Sequence, residues 1–138
     1  MNDSKLSKLQ YYCEHAWPIF PVNWITEESC SCGSSDCKSP GKHPLTPHGL
    51  KDATTDFQTV QAWHTKWPQA NWGMRTGSCS TGGAGLLVVD IDESPGGFDT
   101  WDQLRTENLG PIETVMVNTG GGGQHLWFVY PEGTNIHS

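Results

Sequence analysis

Two aspartates, Asp90 and Asp92, stand one residue apart at the end of the apolar run GLLVVDID. Side chains alternate between the two faces of a β-strand, so we expect both carboxylates on one face, opposite Val89 and Ile91. Like charges side by side repel unless a cation lies between them, and Mg²⁺ or Mn²⁺ prefers such oxygen ligands. The pair therefore predicts a metal site for phosphoryl chemistry, although acids before a Gly/Pro turn are also an ordinary way to end a strand.

Four consecutive glycines, Gly120–Gly123, precede His125 at the start of a β-rich segment. Such a run costs conformational entropy, and one reason to keep it is close approach of backbone N–H groups to a phosphate. We predict that this turn and His125 bind a triphosphate, with His125 donating to an oxygen or acting as an acid. The turn residues concerned are Gly121, Gly122 and Gly123. The alternative is a plain hairpin turn, which needs only one or two glycines.

The loop CSCGSSDCKSPGKH carries three cysteines and a histidine, namely Cys30, Cys32, Cys37 and His43. Three thiolates and one imidazole form a tetrahedral zinc set, and four protein ligands leave no open position, which predicts structural zinc. The loop has almost no hydrophobic residues, so a metal would supply its folding energy. His48 is a competing ligand, and unrelated free thiols are the alternative.

Four further residues carry weaker signals. Lys51 and Arg75 are isolated positive charges beside glycine turns, and the Arg75 guanidinium could fork onto a phosphate or a base acceptor. Solvated surface charges are the alternative for both. Cys13 and Cys79 have no partner at ligand spacing, so we interpret them as buried or incidental.

Composition narrows the class of protein. The 138 residues carry a net charge of −7, which argues against a generic basic nucleic-acid binder but not against a site that meets phosphate through metal ions. The sequence has no apolar run of membrane-spanning length and no signal-peptide pattern at its start. We therefore expect a cytoplasmic, reducing compartment and no membrane partner. In such a compartment, five cysteines suit a metal site better than disulfides.

Hydrophobic periodicity predicts an α+β protein in which helices and short strands position these residues. One helix is predicted at about Ser4–His15, and a second helix begins after the cap residues Thr55 and Asp56. A third helix is predicted over GGFDTWDQLRTEN, with Phe98, Trp101 and Leu104 facing inward. Strands are predicted at WPIFPV, NWGMRTG and GLLVVDID, the last one buried. TVMVNT and QHLWFVY could pair as a hairpin, and the stretch from Thr26 to Leu50 is a loop.

In this order, six stretches resemble the primase–polymerase domain of the archaeo-eukaryotic primase superfamily: WPIFPV, CSCGSSDCKSPGKHP, GLKDATTD, ANWGMRTG, LLVVDIDESPGG and TGGGGQHLWF. The resemblance implies a mixed sheet with an RRM-like catalytic core flanked by helices. It implies that residues 1–138 are the N-terminal portion of such a domain, with a zinc loop inserted at about 26–50. A third metal-binding acid is expected downstream of Ser138, so we expect the catalytic site to be incomplete and the chain to be inactive alone.

The resemblance further implies template-directed nucleotidyl transfer in the replication of a plasmid, phage or other mobile element. Asp90 and Asp92 would then hold catalytic Mg²⁺ or Mn²⁺, and His125 would contact the incoming nucleotide. Nucleoside triphosphates, a single-stranded DNA template and a helicase are the implied partners, and Lys51 and Arg75 would contact nucleotide or template. Two alternatives stay open: a zinc-containing single-stranded nucleic-acid-binding module without catalysis, and another metal-dependent phosphoryl-transfer enzyme such as a nuclease.

Overall fold

The computed structural model of the chain describes residues 4–78 and 85–137, which form two compact units divided between Arg75 and Thr76. Each unit contains its own small antiparallel sheet, and the chain is of the α+β class. Within the described ranges, no helix combines the length and the apolar character needed to cross a membrane. The prediction that residues 1–138 belong to one domain stays a prediction.

Two helices cover the sheet of the first unit. Helix α1 spans Ser4–Glu14 and helix α2 spans Phe57–Lys66, close to the predicted bounds. Asp56 caps α2, because its carboxylate accepts hydrogen bonds from the backbone N–H groups of Gln58 and Thr59. The core of this unit is a buried cluster of Leu9, Cys13, Ile19 and Val60. The interpretation of Cys13 as a buried residue is confirmed, whereas Cys79 lies outside the described residues.

Strand β1 (Ile19–Val22) and strand β2 (Asn71–Met74) lie within the two predicted short strands, and they pair with each other antiparallel. Between β1 and a short 3₁₀ helix at Gly49–Asp52, the chain has no helix or strand within this fully described stretch. Isolated bridges fix the loop at two points, from Val22 to Pro44 and from Ile25 to Cys30. The predicted long loop is therefore confirmed, and backbone contacts hold it against the edge of β1.

The second unit is a three-stranded sheet with one helix. Strands β3 (Leu86–Ile91), β4 (Val115–Asn118) and β5 (Gln124–Val129) follow the order β3-β5-β4, and helix α3 spans Gly97–Asn108. The predicted hairpin is confirmed, because β4 and β5 pair antiparallel. Since β5 is antiparallel to both neighbours, β3 and β4 run parallel with β5 between them, as in a split β-α-β unit.

Two expectations about the second unit are wrong in detail. Every strand pair among the described residues is antiparallel, not mixed, because β5 separates the only two parallel strands. Strand β3 is buried only at Leu86 and Ile91, because β5 is its one strand partner in the described chain and its other edge meets Gly77 in a single bridge at Leu86.

Helix α3 also differs from the prediction, because none of its residues is buried and Leu104 is 51% exposed. Phe98 and Trp101 do line the space between the helix and the sheet, but this space is an open cavity of about 390 Å³. The helix therefore covers the sheet loosely, and its apolar side chains stay partly in contact with water.

Candidate functional site

The first predicted site centres on a carboxylate and an imidazole that face each other across two strands. Asp90 on β3 and His125 on β5 are direct partners in the antiparallel register. His125 Nε2 lies 3.3 Å from Asp90 Oδ1, and the two side chains are 38% and 63% exposed. The opposite face of the same strands carries Ile91 and Leu126, both buried. The pair is therefore anchored from behind by apolar packing and open to a ligand in front.

Asp92 is the first residue after β3, where the chain turns toward α3. It is exposed, and the turn that follows it is tight, because Gly96 has φ +87° and the backbone of Gly97 lies against the Asp92 carbonyl oxygen. A side chain at position 97 would collide with that oxygen. The local chain geometry therefore holds Asp92 beside the end of the strand that carries Asp90.

The glycine turn between β4 and β5 contains two kinds of glycine. Gly122 has φ +89°, and a Cβ there would collide with the Glu93 carboxylate, while a Cβ on Gly123 would collide with the Ile91 carbonyl oxygen. The left-handed backbone conformation therefore explains Gly122, and packing against backbone explains Gly123. Gly120 and Gly121 do not have a positive φ, and a Cβ added at either position would meet no atom within 4 Å. Neither the backbone conformation nor the surroundings therefore requires glycine there. These two glycines leave open space at the rim of the turn.

Glu93 is a third acid that the sequence interpretation did not single out. Its exposed carboxylate lies against the glycine turn at Gly122, next to the strand end that carries the two predicted acids. Its position directly after Asp92 could have indicated it. Strand alternation, however, does not predict which way the side chain of a turn residue points. Asp92 and Glu93 therefore follow directly on the strand that carries Asp90, and Glu93 lies against the turn that precedes His125.

The second predicted site is a cluster of four potential metal ligands in the loop of the first unit. One ligand atom from each residue lies within 4.8 Å of the other three, and the residues are Cys30, Cys32, Cys37 and His43. Sulfur ligands at 2.3 Å around a tetrahedral zinc ion would stand about 3.8 Å apart, which this spacing accommodates. The four predicted side chains are therefore brought together, and they could hold a metal such as zinc.

The electrostatics of the cluster favour a thiolate at Cys30. Hydrogen bonding from the backbone of Cys32 and from the Gly41 N–H (3.4 Å) lowers the pKa of Cys30 to about 6, despite an opposing contribution from burial. Burial is the main cause that raises the pKa of Cys37. Because zinc binds the thiolate form, Cys30 is prepared to ligate at neutral pH, whereas Cys37 would lose its proton on binding.

A buried neighbour, which no sequence pattern indicated, holds His43 in place. The Asn23 side-chain amide lies 3.1 Å from His43 Nδ1 and donates to the His43 carbonyl oxygen at 3.0 Å. Ser31 donates to Asn23 Oδ1 at 2.8 Å, and His43 Nε2 lies 3.4 Å from Cys30 Sγ. The Asn23 amide therefore fixes the position of the ring at Nδ1, while Nε2 faces the Cys30 sulfur.

The competing ligand His48 is not part of the cluster. Its Nδ1 lies 3.2 Å from Asp52 Oδ1, and its backbone N–H donates to the same carboxylate. Lys51 is exposed on the 3₁₀ helix, and Arg75 is half-buried directly after β2. No ion pair joins the Arg75 guanidinium to a carboxylate of the described residues. Both cations belong to the first unit, whereas Asp90, Asp92 and His125 belong to the second.

Comparison with known proteins gives one result for nearly the whole chain. Residues 9–138 match the family model of the bifunctional DNA primase/polymerase, N-terminal. No curated protein and no solved structure gives a match.

Proposed function

Because the chain belongs to the bifunctional DNA primase/polymerase N-terminal family, we propose that its second unit carries the nucleotidyl-transfer site of a template-directed primase or polymerase. Membership implies a nucleotidyltransferase of this general type. The observation that carries the assignment to particular residues is the Asp90–His125 pair, which unites two separately predicted motifs within 3.3 Å.

Asp90 and Asp92 are the residues that would hold the catalytic divalent ions. Both are exposed carboxylates, and hard cations such as Mg²⁺ or Mn²⁺ take oxygen ligands of this kind. When bound, such ions neutralise charge on the triphosphate and favour deprotonation of the attacking 3′-hydroxyl. The carboxylates themselves would orient the reacting groups along the open face of the β3–β5 pair.

His125 and the glycine turn would hold the triphosphate of the incoming nucleotide. The imidazole can donate a hydrogen bond to a phosphate oxygen, and Gly120 and Gly121 leave room for phosphate close to the backbone. The sequence predicted that Gly121, Gly122 and Gly123 all contact the ligand. Because local structure already accounts for Gly122 and Gly123, only Gly121 of these three is proposed as a ligand contact. Arg75 and Lys51 are proposed as nucleotide or template contacts on the resemblance, and Arg75 is further supported because its guanidinium has no ion pair with a described carboxylate.

The cysteine–histidine cluster is proposed as a structural zinc site that orders the loop of the first unit. The thiolate character of Cys30 and the fixed His43 ring support this role. The split β-α-β arrangement of β3, α3, β4 and β5 supports an RRM-like core. Replication of a mobile element and a helicase partner are proposed on the resemblance alone. A cytoplasmic location is proposed because the sequence has no apolar run of membrane-spanning length.

The test measures binding of a fluorescent deoxynucleoside triphosphate to this chain with Mn²⁺ present, and extension of a labelled primer on a template by a longer protein that also carries the expected third acid. We expect Asp90→Asn with Asp92→Asn to abolish both, whereas the matched control Asp99→Asn on α3 leaves both intact. A double variant that binds and extends like the wild type would overturn the assignment. Degradation of the labelled strand without triphosphate would instead identify a nuclease.

A further inference from the structure

The net negative charge of the chain lies entirely in the second unit. Seven of the eight Lys and Arg residues and seven of the fifteen acids fall within Met1–Arg75, so this unit has a formal charge of zero. The second unit has eight acids and a single basic residue, Arg105. A polyanionic strand is repelled by the second unit when no metal is bound. Metal-independent affinity for a strand must therefore come from the first unit.

An exposed group of aromatic rings lies at the end of helix α1 in that unit. The rings of Tyr11 and His15 stack with centroids 3.9 Å apart and planes inclined by 32°. The Trp17 ring lies 6.0 Å from Tyr11 and 5.3 Å from His15. Tyr11 is 48% exposed, His15 is exposed and Trp17 is half-buried. We call these three side chains the aromatic platform.

An uncommon backbone turn assembles the platform. Ala16 has φ +58°, the only positive φ of a non-glycine residue in the described chain, and this conformation is costly for a residue with a Cβ. The Ala16 and Trp17 N–H groups donate back to the carbonyl oxygens of Cys13 and Tyr12 at 3.0 Å. The turn therefore reverses the chain after α1 and places Trp17 beside the two rings of the helix.

A positive charge accompanies the rings. Lys8, Tyr11 and His15 follow the three- and four-residue spacing that places side chains on one stripe of a helix, and Lys8 is exposed. Glu14, the acid next to His15 in the sequence, accepts a hydrogen bond from Gln10 on the adjacent stripe. The stripe thus combines ring faces with an ammonium group, which suits bases and phosphates of an unpaired strand.

We propose that the aromatic platform binds single-stranded nucleic acid by stacking with its bases, with Lys8 contacting a phosphate. The proposal rests on the proposed function, because it places the template strand of that reaction on the first unit. Stacking with ring faces does not read base edges, so the platform tolerates any sequence. A duplex keeps its bases paired and stacked, so it is a poor ligand for this surface.

The test titrates a 5′-labelled single-stranded oligodeoxynucleotide with the whole chain and follows fluorescence anisotropy. Divalent metal and triphosphate are omitted, so that the acids of the second unit play no part. We expect Tyr11→Ala to weaken binding by at least about fivefold, whereas Tyr11→Phe keeps the ring and the affinity. His15→Ala should also weaken binding, and Lys8→Gln should lower the salt dependence by the equivalent of one phosphate contact.

Two controls separate this proposal from the nucleotidyl-transfer site. Phe98→Ala removes an exposed ring of the second unit and should leave strand binding unchanged. Asp90→Asn with Asp92→Asn should not weaken it, because the change only removes negative charge from the second unit, even if nucleotide joining is lost or never observed. The platform is rejected if the wild type does not bind the strand, or if Tyr11→Ala and His15→Ala bind it as tightly as the wild type.

Discussion

Asp90 and His125 are direct partners on neighbouring antiparallel strands, 35 positions apart in the sequence, and their side chains meet at 3.3 Å. This relationship gives one solvent-open face a carboxylate that can bind a cation and an imidazole that can donate to a phosphate. Ile91 and Leu126 anchor the same strands from behind. The two side chains can therefore act on one bound ligand without a rearrangement of the sheet.

The first prediction concerns His125. His125→Ala should weaken binding of a Mn²⁺–triphosphate by about tenfold, because a hydrogen bond to a charged oxygen is lost. Thermal stability should change little, since the side chain is partly exposed. A titration with labelled triphosphate measures the effect, and His137→Ala, an exposed histidine of the same unit, is the control. Equal affinities for the two variants would remove His125 from the site.

The second prediction separates the glycines of the turn. Gly122→Ala should lower the melting temperature, because the backbone at this position is left-handed (φ +89°), a conformation that a residue with a Cβ adopts only with strain. Gly121→Ala should leave the melting temperature nearly unchanged but weaken triphosphate binding, since its space is open in the protein alone. Melting curves and binding titrations on both variants test this. Wild-type affinity in Gly121→Ala would show that the open rim plays no part in binding.

The third prediction concerns the cysteine–histidine cluster. The purified chain should contain one zinc ion, and a strong chelator should lower its melting temperature, because the loop has few apolar contacts of its own. Cys37→Ser should reproduce the loss of zinc and of stability. Ser35→Ala, an exposed position of the same loop, should behave as the wild type in metal analysis and melting. Stoichiometric zinc in Cys37→Ser would exclude this residue as a ligand.

The fourth prediction uses the cap of helix α2. Hydrogen bonding from the Thr59 hydroxyl, together with the Gln58 and Thr59 N–H groups, lowers the pKa of Asp56. Its stabilising effect is therefore fully present above the unfolded pKa of about 3.9 and is lost as the pH falls through the lower folded pKa. Asp56→Ala should be less stable than the wild type in urea at pH 7, and the difference should shrink toward pH 3. A difference that is constant with pH would contradict a charged cap.

Local sequence signals predicted most of the elements. Asp56 and Pro68 mark the two ends of helix α2, and the glycine run marks the turn of the β4–β5 hairpin. The predictions were wrong where they depended on neighbours in space. The apolar run of β3 predicted a buried strand, but β3 has one partner among the described strands, and Leu104 of α3 stays exposed over an open cavity. Composition alone cannot tell how completely a face is covered.

The cysteine–histidine cluster could be predicted because its four ligands come from one loop of fourteen residues, and a short loop keeps them near each other. Asn23 could not be predicted, because its contact with His43 spans 20 positions and a lone asparagine carries no periodic signal. The aromatic platform could be predicted only in part. Tyr11 and His15 are neighbours on any helix, but only the turn at Ala16 brings Trp17 beside them.

The sequence by itself determined the types of the reactive residues, the strand that carries Asp90 and the turn that precedes His125, because periodicity and glycine content act over a few neighbouring residues. Only the tertiary structure decided that β5 lies between β3 and β4, that Asp90 faces His125, and that Glu93 lies against Gly122. The physical reason is that strand register and turn packing depend on which distant segments exclude water together, and a local pattern does not contain that information.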